Sequence, residues 1–207
     1  MTMELIDTVK SGNAWKVRLL CGYLGIPLKR TTLSIVDGDL NRPDFGQINP
    51  LRQVPVLRTP DGVWLAESLA ILWYLGEGTA YLPDSRLHRA QVASWLSFEQ
   101  TQHMHPLAQP RLLVHLRRTA SVGDAAMVAW RELGNKALAV MEVHLQAHAF
   151  LVGEAPSIAD VALYPYTVMA AEGGYHLDNY SAIRGWLARM TLLPGYVPLE
   201  SDPAIFD

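Results

Sequence analysis

The spacing of apolar residues changes near residue 76 of this 207-residue chain, and the change restricts the possible folds more than any other feature. Before residue 76, short apolar runs of strand length alternate with stretches in which apolar residues recur every three or four positions. After it, only the spacing typical of helices remains. The sequence therefore predicts an α/β N-terminal domain followed by an all-α C-terminal domain.

The N-terminal part is predicted to contain elements in the order β-α-β-α-β-β-α. Its four strands are predicted at residues 3–7, 28–33, 54–58 and 63–66. Thr59-Pro60-Asp61-Gly62 supplies the turn residues of a hairpin between the last two strands. A right-handed βαβ unit and a hairpin together predict a small mixed sheet with helices packed against it.

The domain boundary is predicted at residues 78–86, where glycine, proline and polar residues are typical of a linker. Residues 1–77 then form the first domain and residues 87–207 the second. Helices are predicted in the second domain at residues 88–116, 125–148, 157–171 and 182–190. Pro106 and Pro110 are expected to kink or split the first of these helices, and the chain beyond the last one is expected to be irregular.

Charge and cysteine content exclude several classes of protein. With 17 Lys and Arg against 20 Asp and Glu, the formal net charge of −3 gives no basic surface for nucleic acid or an anionic membrane. The N-terminus lacks a signal-peptide pattern, and no apolar stretch reaches the ~20 residues that span a bilayer. The single cysteine, Cys21, excludes an intrachain disulfide framework and a cysteine-built zinc site. These features predict a soluble, cytoplasmic protein without nucleic-acid or membrane partners.

The histidines are the residues that raise the question of a metal. His144 and His148 are four residues apart on a predicted helix, and His103 and His105 form a second close pair. The first pair lies on the apolar stripe of its helix, which favours packed histidines, and no H-E-x-x-H motif occurs. We therefore expect no metal. The motifs G-x-G-x-x-G, P-loop and G-x-S-x-G are absent from the sequence as well.

Two predicted helix N-termini carry polar residues with different expected roles. Ser11-Gly12-Asn13 stands where the first strand leads into the first helix, and free N–H groups at a helix start stabilise an anion. A hydroxyl and an amide there can hold a bound thiolate, although most such residues serve only as an N-cap, as Ser11 or Asn13 can. Ser157 and Asp160 fit a capping box, which is expected to matter for stability rather than for chemistry.

Two further places allow both a structural and a functional interpretation. Pro55 suits the start of a strand, and a cis Val54–Pro55 bond would present the Val54 backbone as a binding edge, although most X–Pro bonds are trans. Ser68 suits an N-cap. Glu67 and Ser68 together also suit the binding of an amino group and a carboxylate.

Four segments in this order resemble the glutathione S-transferase family over essentially the whole chain. They begin at Ser11, Asn49, Leu65 and Ser157 and read SGNAWKV, NPLRQVPVL, LAESLAI and SIADVA. The resemblance implies a thioredoxin-like N-terminal domain, a helical C-terminal domain and a homodimer. It also implies a glutathione site in the cleft between the domains.

The same resemblance implies a role for individual residues. Ser11 is expected to contact the glutathione sulfur, and Asn13 is expected to be a second polar contact. Four residues are expected to bind the rest of the molecule: Val54 through its backbone at the cysteinyl unit, Glu67 and Ser68 at the γ-glutamyl end, and Gln53 at the glycine carboxylate.

The sequence departs from the family pattern in three ways. No tyrosine precedes Tyr23, so transferases with a tyrosine at the sulfur have no counterpart here. Ser11 and Ala14 stand at the two cysteine positions of a thioredoxin-type C-x-x-C, which excludes a dithiol cycle on the protein. Arg52 stands where close relatives often carry glycine, next to Gln53.

The resemblance predicts a glutathione transferase that functions in detoxification. Such an enzyme uses glutathione as co-substrate and activates its thiol for attack on a small hydrophobic electrophile. One alternative is a glutathione-dependent reductase or peroxidase of disulfides or peroxides, in which two glutathione molecules do the redox chemistry. Another is a transferase-like fold kept as a binding module. Trp15, His105 and Tyr164 are candidates for the electrophile pocket, and equally suit packing.

Overall fold

The chain forms two compact units in the computed structural model, which describes residues 3–34 and 37–199. The first unit contains the described residues up to 77 together with 194–199, and the second contains residues 78–193. Part of the predicted irregular tail and of the N-terminus considered for a signal peptide lies outside the described residues.

The first unit contains a four-stranded mixed sheet and three α-helices in the predicted order. They are β1 (Met3–Asp7), α1 (Gly12–Leu24), β2 (Leu28–Thr32), α2 (Pro43–Ile48), β3 (Val56–Arg58), β4 (Trp64–Ala66) and α3 (Ser68–Gly76). The strand order is β2-β1-β3-β4, with β1 parallel to β2 and the other neighbouring pairs antiparallel. The predicted α/β class of this part is confirmed.

Helix α1 ends at a glycine in the left-handed conformation. Gly25 has a φ of 64°, and its N–H bonds back to the carbonyls of the last helical turn. Val17 and Leu20 of α1 are fully buried, and α1 packs against α3. Burial of such side chains contributes roughly 1.5–3 kcal/mol each, so this face fixes α1 on the unit.

The segment that follows Leu193 packs against α1. Trp15 donates its indole N–H to the carbonyl oxygen of Val197 at 2.7 Å, and the backbones of Gly22 and Gly195 approach closely. The sequence assigns this segment to the helical domain, whereas the structure groups it with the first unit. The pairing depends on contacts that the spacing of apolar residues does not encode.

Replacing Gly22 by alanine is expected to lower the free energy of unfolding by about 1–3 kcal/mol. A Cβ atom there would overlap the Gly195 carbonyl oxygen and the Val197 side chain. This overlap outweighs the gain in helix propensity, which is at most ~1 kcal/mol. Urea denaturation measures the effect, and Gly185→Ala in another helix is the control, because its Cβ would approach only the end of the Arg189 side chain. Equal effects of the two substitutions would contradict the close approach.

The described residues of the second unit form helices joined by loops and contain no strand. It contains α4 (Arg86–Phe98), α5 (Met104–Pro110), α6 (Ala125–Ala147), α7 (Ile158–Val168) and α8 (Ser181–Leu192). Two π-helical stretches, Glu99–His103 and Arg111–Leu116, join α4 to α5 and extend α5. The helix predicted at 88–116 therefore continues through its two prolines by local widening instead of ending at them.

Tyr175 explains how the chain tolerates Pro110 in this stretch. A proline has no N–H to donate, so the carbonyl of Pro106, four residues earlier, lacks its ordinary partner in the helix. The Tyr175 hydroxyl donates to that carbonyl at 2.7 Å and lies 3.1 Å from the carbonyl of Trp130. A side chain from a distant part of the sequence thus replaces the missing backbone hydrogen bond.

The capping box predicted at Ser157 and Asp160 is confirmed, and it has additional partners. The fully buried Asp160 carboxylate accepts hydrogen bonds from the Ser157 N–H and hydroxyl, the Leu151 N–H and the indole of Trp186. Burial raises the pKa of the Asp160 carboxyl, and these hydrogen bonds act in the opposite direction. The carboxylate ties the start of α7 to the loop before it and to α8.

The length and hydropathy of the described helices decide whether any of them could span a membrane. None of them combines the length and the hydropathy that crossing a bilayer requires. The longest of them, α6, has 23 residues and is amphipathic, with Met141 buried and Val143 largely exposed.

Candidate functional site

The strand register brings the sequence-predicted residues of the first unit to one edge of the sheet. Ile6 pairs with Val56, and Val56 pairs with Ala66. The end of β1, the start of β3 and the end of β4 are therefore neighbours along that edge. The chain segments that carry the predicted residues leave or enter the sheet there: Ser11 and Asn13 after β1, Gln53 and Val54 before β3, and Glu67 and Ser68 after β4.

Ser11 occupies the N-cap position of α1. Its φ and ψ of −73° and 121° are extended, and its Oγ accepts the Ala14 N–H at 3.2 Å. A hydroxyl that accepts a hydrogen bond still has its own hydrogen to donate. The capping role of Ser11 therefore leaves the O–H group able to donate to a bound sulfur.

Asn13 lies two residues further along the first turn of α1. Its Oδ1 atom is buried, and no hydrogen-bond partner for it occurs in the described part of the chain. An unsatisfied buried acceptor costs free energy, typically about 1–3 kcal/mol. A half-turn of the amide exchanges its acceptor and donor, so Asn13 can pair with either a thiol or a thiolate.

A buried ion cluster holds the loop between β1 and α1, and no sequence pattern indicates it. Asp7 is fully buried at the end of β1, and Arg18 of α1 donates to its carboxylate at 2.7 Å. Arg30 of β2 reaches the same oxygen at 2.9 Å, and Arg18 also donates to the Val9 carbonyl at 3.0 Å. Because Val9 lies inside the loop, the cluster fixes the path of the chain that leads to Ser11.

The peptide bond between Val54 and Pro55 is cis, as the family resemblance implies and against the general preference of X–Pro bonds. Strand β3 begins at Val56, so Val54 precedes the strand instead of starting it as predicted. Gln53 is exposed, and its carbonyl accepts a hydrogen bond from the buried Asn49 side chain at 2.9 Å. Asn49 therefore shapes the turn that presents Gln53, a role not foreseen from the sequence.

Arg52 adopts a backbone conformation that usually favours glycine. Its φ is 53°, in the left-handed region that glycine enters without steric cost. The Arg52 guanidinium donates to the carbonyls of Arg42 and Leu40 at 3.2 and 3.4 Å. These side-chain contacts help an arginine to occupy a position that favours glycine.

At the start of α3, Glu67 occupies the N-cap position that the sequence suggests for Ser68. The N-cap of α3 is Glu67, with φ and ψ of 69° and 116°, and its side chain makes no capping hydrogen bond. Ser68 is the first helical residue and is buried, so its interpretation as the N-cap is wrong. A non-glycine residue at positive φ costs about 1–3 kcal/mol, and such residues concentrate at functional sites.

The three residues considered for an electrophile pocket have different environments. Tyr164 is fully buried 6.0 Å from the ring of Trp186, so it packs in the core of the second unit. Trp15 is buried in the first unit. His105 is exposed and lines a cavity of about 430 Å³ between α5 and α6, together with Trp130 and other residues. His105 is therefore accessible from a cavity of its own unit, whereas Trp15 and Tyr164 are buried.

Neither the cysteine nor the histidines form a reactive cluster. Cys21 is buried, and burial raises the pKa of its thiol to about 12. The rings of His144 and His148 stack at 4.2 Å. His144 is half-buried against Trp95, as predicted for a packed histidine, whereas His148 is exposed and does not pack in the core. Within residues 3–34 and 37–199, no group of three ligating side chains is placed to hold a metal ion.

Comparison with known proteins identifies the family. Models of the glutathione S-transferase N-terminal and C-terminal domains match residues 11–77 and 107–189. A glutathione S-transferase structure from Pseudomonas fluorescens Pf-5 has a TM-score of 0.93 and 36% identity, covering 97% of this chain and 100% of that one. Glutathione S-transferase 3 of Zea mays is 34% identical over 173 residues, which are 79% of this chain and 77% of that protein. The chain belongs to the glutathione S-transferase family.

The chain is also similar to a longer protein. Elongation factor 1-gamma-A of Xenopus laevis is 34% identical over 153 residues, which are 72% of this chain and 34% of that protein. The chain thus spans about a third of that relative. The predicted succession of a thioredoxin-like domain and a helical domain is confirmed by the two domain models and the solved structure.

Proposed function

We propose that the protein is a glutathione transferase whose Ser11 and Asn13 stabilise the thiolate of bound glutathione. The observation that carries the proposal is the first turn of α1. There a capping hydroxyl keeps its hydrogen for donation, and the neighbouring Asn13 amide, whose buried Oδ1 atom has no partner in the described chain, can turn its NH₂ group to donate to a thiolate. The positive end of a 13-residue helix adds to the stabilisation of an anion at this point.

The other parts of glutathione are assigned along the same sheet edge. The Val54 backbone pairs with the cysteinyl unit, Gln53 with the glycine carboxylate, and Glu67 and Ser68 with the γ-glutamyl amino group and carboxylate. The positive φ of Glu67 supports this assignment, because strained residues persist where a site requires them. Membership of the family supports the further proposals of a homodimer and a cytoplasmic location.

The chemical requirement is modest. A free thiol has a pKa near ~8.5, and lowering it by two units needs about 2.7 kcal/mol of preferential stabilisation of the anion. Hydrogen bonds to a charged acceptor contribute about 1.5–3 kcal/mol each, so one or two of them suffice. The thiolate then forms a carbon–sulfur bond with the electrophile, and the leaving group departs with its electron pair.

In a redox alternative, the reactive thiols would come from glutathione alone. Cys21 is the only cysteine of the chain, and it is buried with a pKa of about 12, so the protein itself supplies no reactive thiol. Reduction of a disulfide or a peroxide would then use two glutathione molecules. Turnover of a chlorinated aromatic compared with that of a small disulfide and a hydroperoxide separates the two reactions.

The proposal is tested by titrating glutathione into the protein and following thiolate absorbance across pH. We expect saturable binding, with thiolate appearing well below the ordinary thiol pKa of ~8.5. Binding with an ordinary thiol pKa would contradict thiolate activation and favour a binding module. No binding would mean that the fold is kept without the site.

A further inference from the structure

The second unit contains a polar cavity that the proposed glutathione site does not use. Its volume is about 440 Å³, within the range of small-molecule sites. It lies between α6 and the loops that precede α6 and α8, and is lined by residues that include Val122, Arg131, Asn135, His176, Asn179 and Tyr180. The described residues that line it include one permanent positive charge and no carboxylate.

The guanidinium of Arg131 is the strongest group in this cavity. Its Nη1 atom is buried and has no hydrogen-bond partner among the described residues. An ionised group that has lost part of its hydration without gaining a counter-charge is costly. An anion bound against the open side of the guanidinium would supply the missing charge, and the planar fork suits the two oxygens of a carboxylate or phosphate.

The neighbours of Arg131 are arranged to complete such a site. Asn135 is four residues further along α6, so it shares a face of the helix with Arg131. Asn179 and His176 supply further polar groups from the loop before α8. The Tyr175 hydroxyl, in contrast, is already engaged with the Pro106 carbonyl. The cavity therefore offers donors from two separate elements around one cation.

Gly174 keeps the cavity open. Its φ is 82°, and a Cβ atom there would approach a Val122 methyl at 2.8 Å and the Arg131 Cδ at 3.6 Å. A side chain at this position would fill the space between the two loops and press on the stem of the arginine. The backbone conformation and the available space both favour glycine here.

We propose that this cavity is a binding site for a small organic anion, held through its carboxylate or phosphate group by Arg131. Asn135, Asn179 and His176 orient the rest of the ligand by hydrogen bonds. The proposal is independent of glutathione binding, because it rests only on residues of the second unit.

Nuclear magnetic resonance of the full-length protein, with inorganic phosphate and acetate as probes at constant ionic strength, tests the site. We expect saturable shifts of the Gly174, His176 and Asn179 backbone amides. Arg131→Gln should weaken binding at least about tenfold, since a hydrogen-bonded charge is lost. Arg86→Gln removes the same charge from an exposed position of the same unit and should leave binding unchanged. Tighter binding of phosphate points to a phosphate monoester, and tighter binding of acetate to a carboxylate.

Two results would overturn the proposal. One is the absence of saturable shifts at these amides with both probes. The other is equal affinity in wild type and Arg131→Gln, which would leave an adventitious ion only. If Arg131→Gln does not give a native spectrum, Arg131→Lys decides the question. It keeps the charge but loses the planar fork, so binding several-fold weaker than in wild type supports the site and unchanged binding rejects it.

Discussion

Replacing Ser11 by alanine is expected to raise the pKa of the bound glutathione thiol by about one to two units, because a hydrogen bond to the thiolate worth ~1.5–3 kcal/mol is lost. From a bound pKa near ~6.5, this leaves about 3- to 25-fold less thiolate at neutral pH and slows transfer in proportion. Glutathione affinity should stay nearly intact, since the contacts proposed for Gln53, Val54, Glu67 and Ser68 do not involve the Ser11 hydroxyl. Thiolate absorbance followed across pH, with and without the substitution, measures the shift.

The control for this prediction is another serine that caps a helix. Ser11→Ala removes an N-cap as well as the proposed donor, and loss of a cap typically costs ~1 kcal/mol. Ser85 caps α4 in the same way, with its Oγ accepting the His88 N–H at 3.5 Å. Ser85→Ala should therefore lower stability by a similar amount and leave the thiol pKa unchanged. A large loss of affinity in Ser11→Ala without a change in pKa would contradict the proposed role.

Elements whose ends are marked by local chemistry were predictable from the sequence. The first strand is found at Met3–Asp7, as predicted, and the first helix ends at Gly25, where a left-handed conformation is required. The hairpin and the capping box at Ser157 were also predictable, because their signals lie within a few neighbouring residues. Such features are determined by neighbouring residues and do not depend on contacts with distant parts of the chain.

Features that depend on distant parts of the chain were not predictable. Asp7, Arg18 and Arg30 carry ordinary charges in the sequence, and only the fold brings both guanidinium groups to the buried Asp7 carboxylate. The continuity of the helix through Pro110 depends on Tyr175, which lies 65 residues further along the sequence. The spacing of apolar residues says nothing about either arrangement, because each partner satisfies a group created by folding.

The candidate site is intermediate between these cases. The resemblance supplied its residues, and the strand register then explains why segments far apart in sequence meet at one sheet edge. Local signals were misleading at Ser68, which fits an N-cap by type but stands one residue inside the helix. The positive φ of Glu67 displaces the cap, and no residue-type preference predicts that conformation for a glutamate.

Asp160→Ala is expected to have the largest effect on stability of the substitutions considered, lowering the free energy of unfolding by about 3–5 kcal/mol. The substitution leaves the Leu151 and Ser157 N–H groups and the Trp186 indole without their acceptor in a fully buried place. Each such donor costs about 1–3 kcal/mol, and the loss exceeds that of an ordinary cap. Urea denaturation followed by tryptophan fluorescence and by circular dichroism measures the change.

Ser157→Ala and Asp160→Asn separate the cap from the wider anchoring role of Asp160. Ser157→Ala removes only the acceptor of the Ala159 N–H and one donor to the carboxylate, so a loss of ~1 kcal/mol is expected. Asp160→Asn keeps the shape and one acceptor oxygen but turns an NH₂ group toward a donor, so its effect should fall between the other two. If Asp160→Ala costs no more than Ser157→Ala, the carboxylate acts only as half of a capping box. The larger loss would instead show that one buried carboxylate joins the start of α7, the preceding loop and α8 into one cooperative unit.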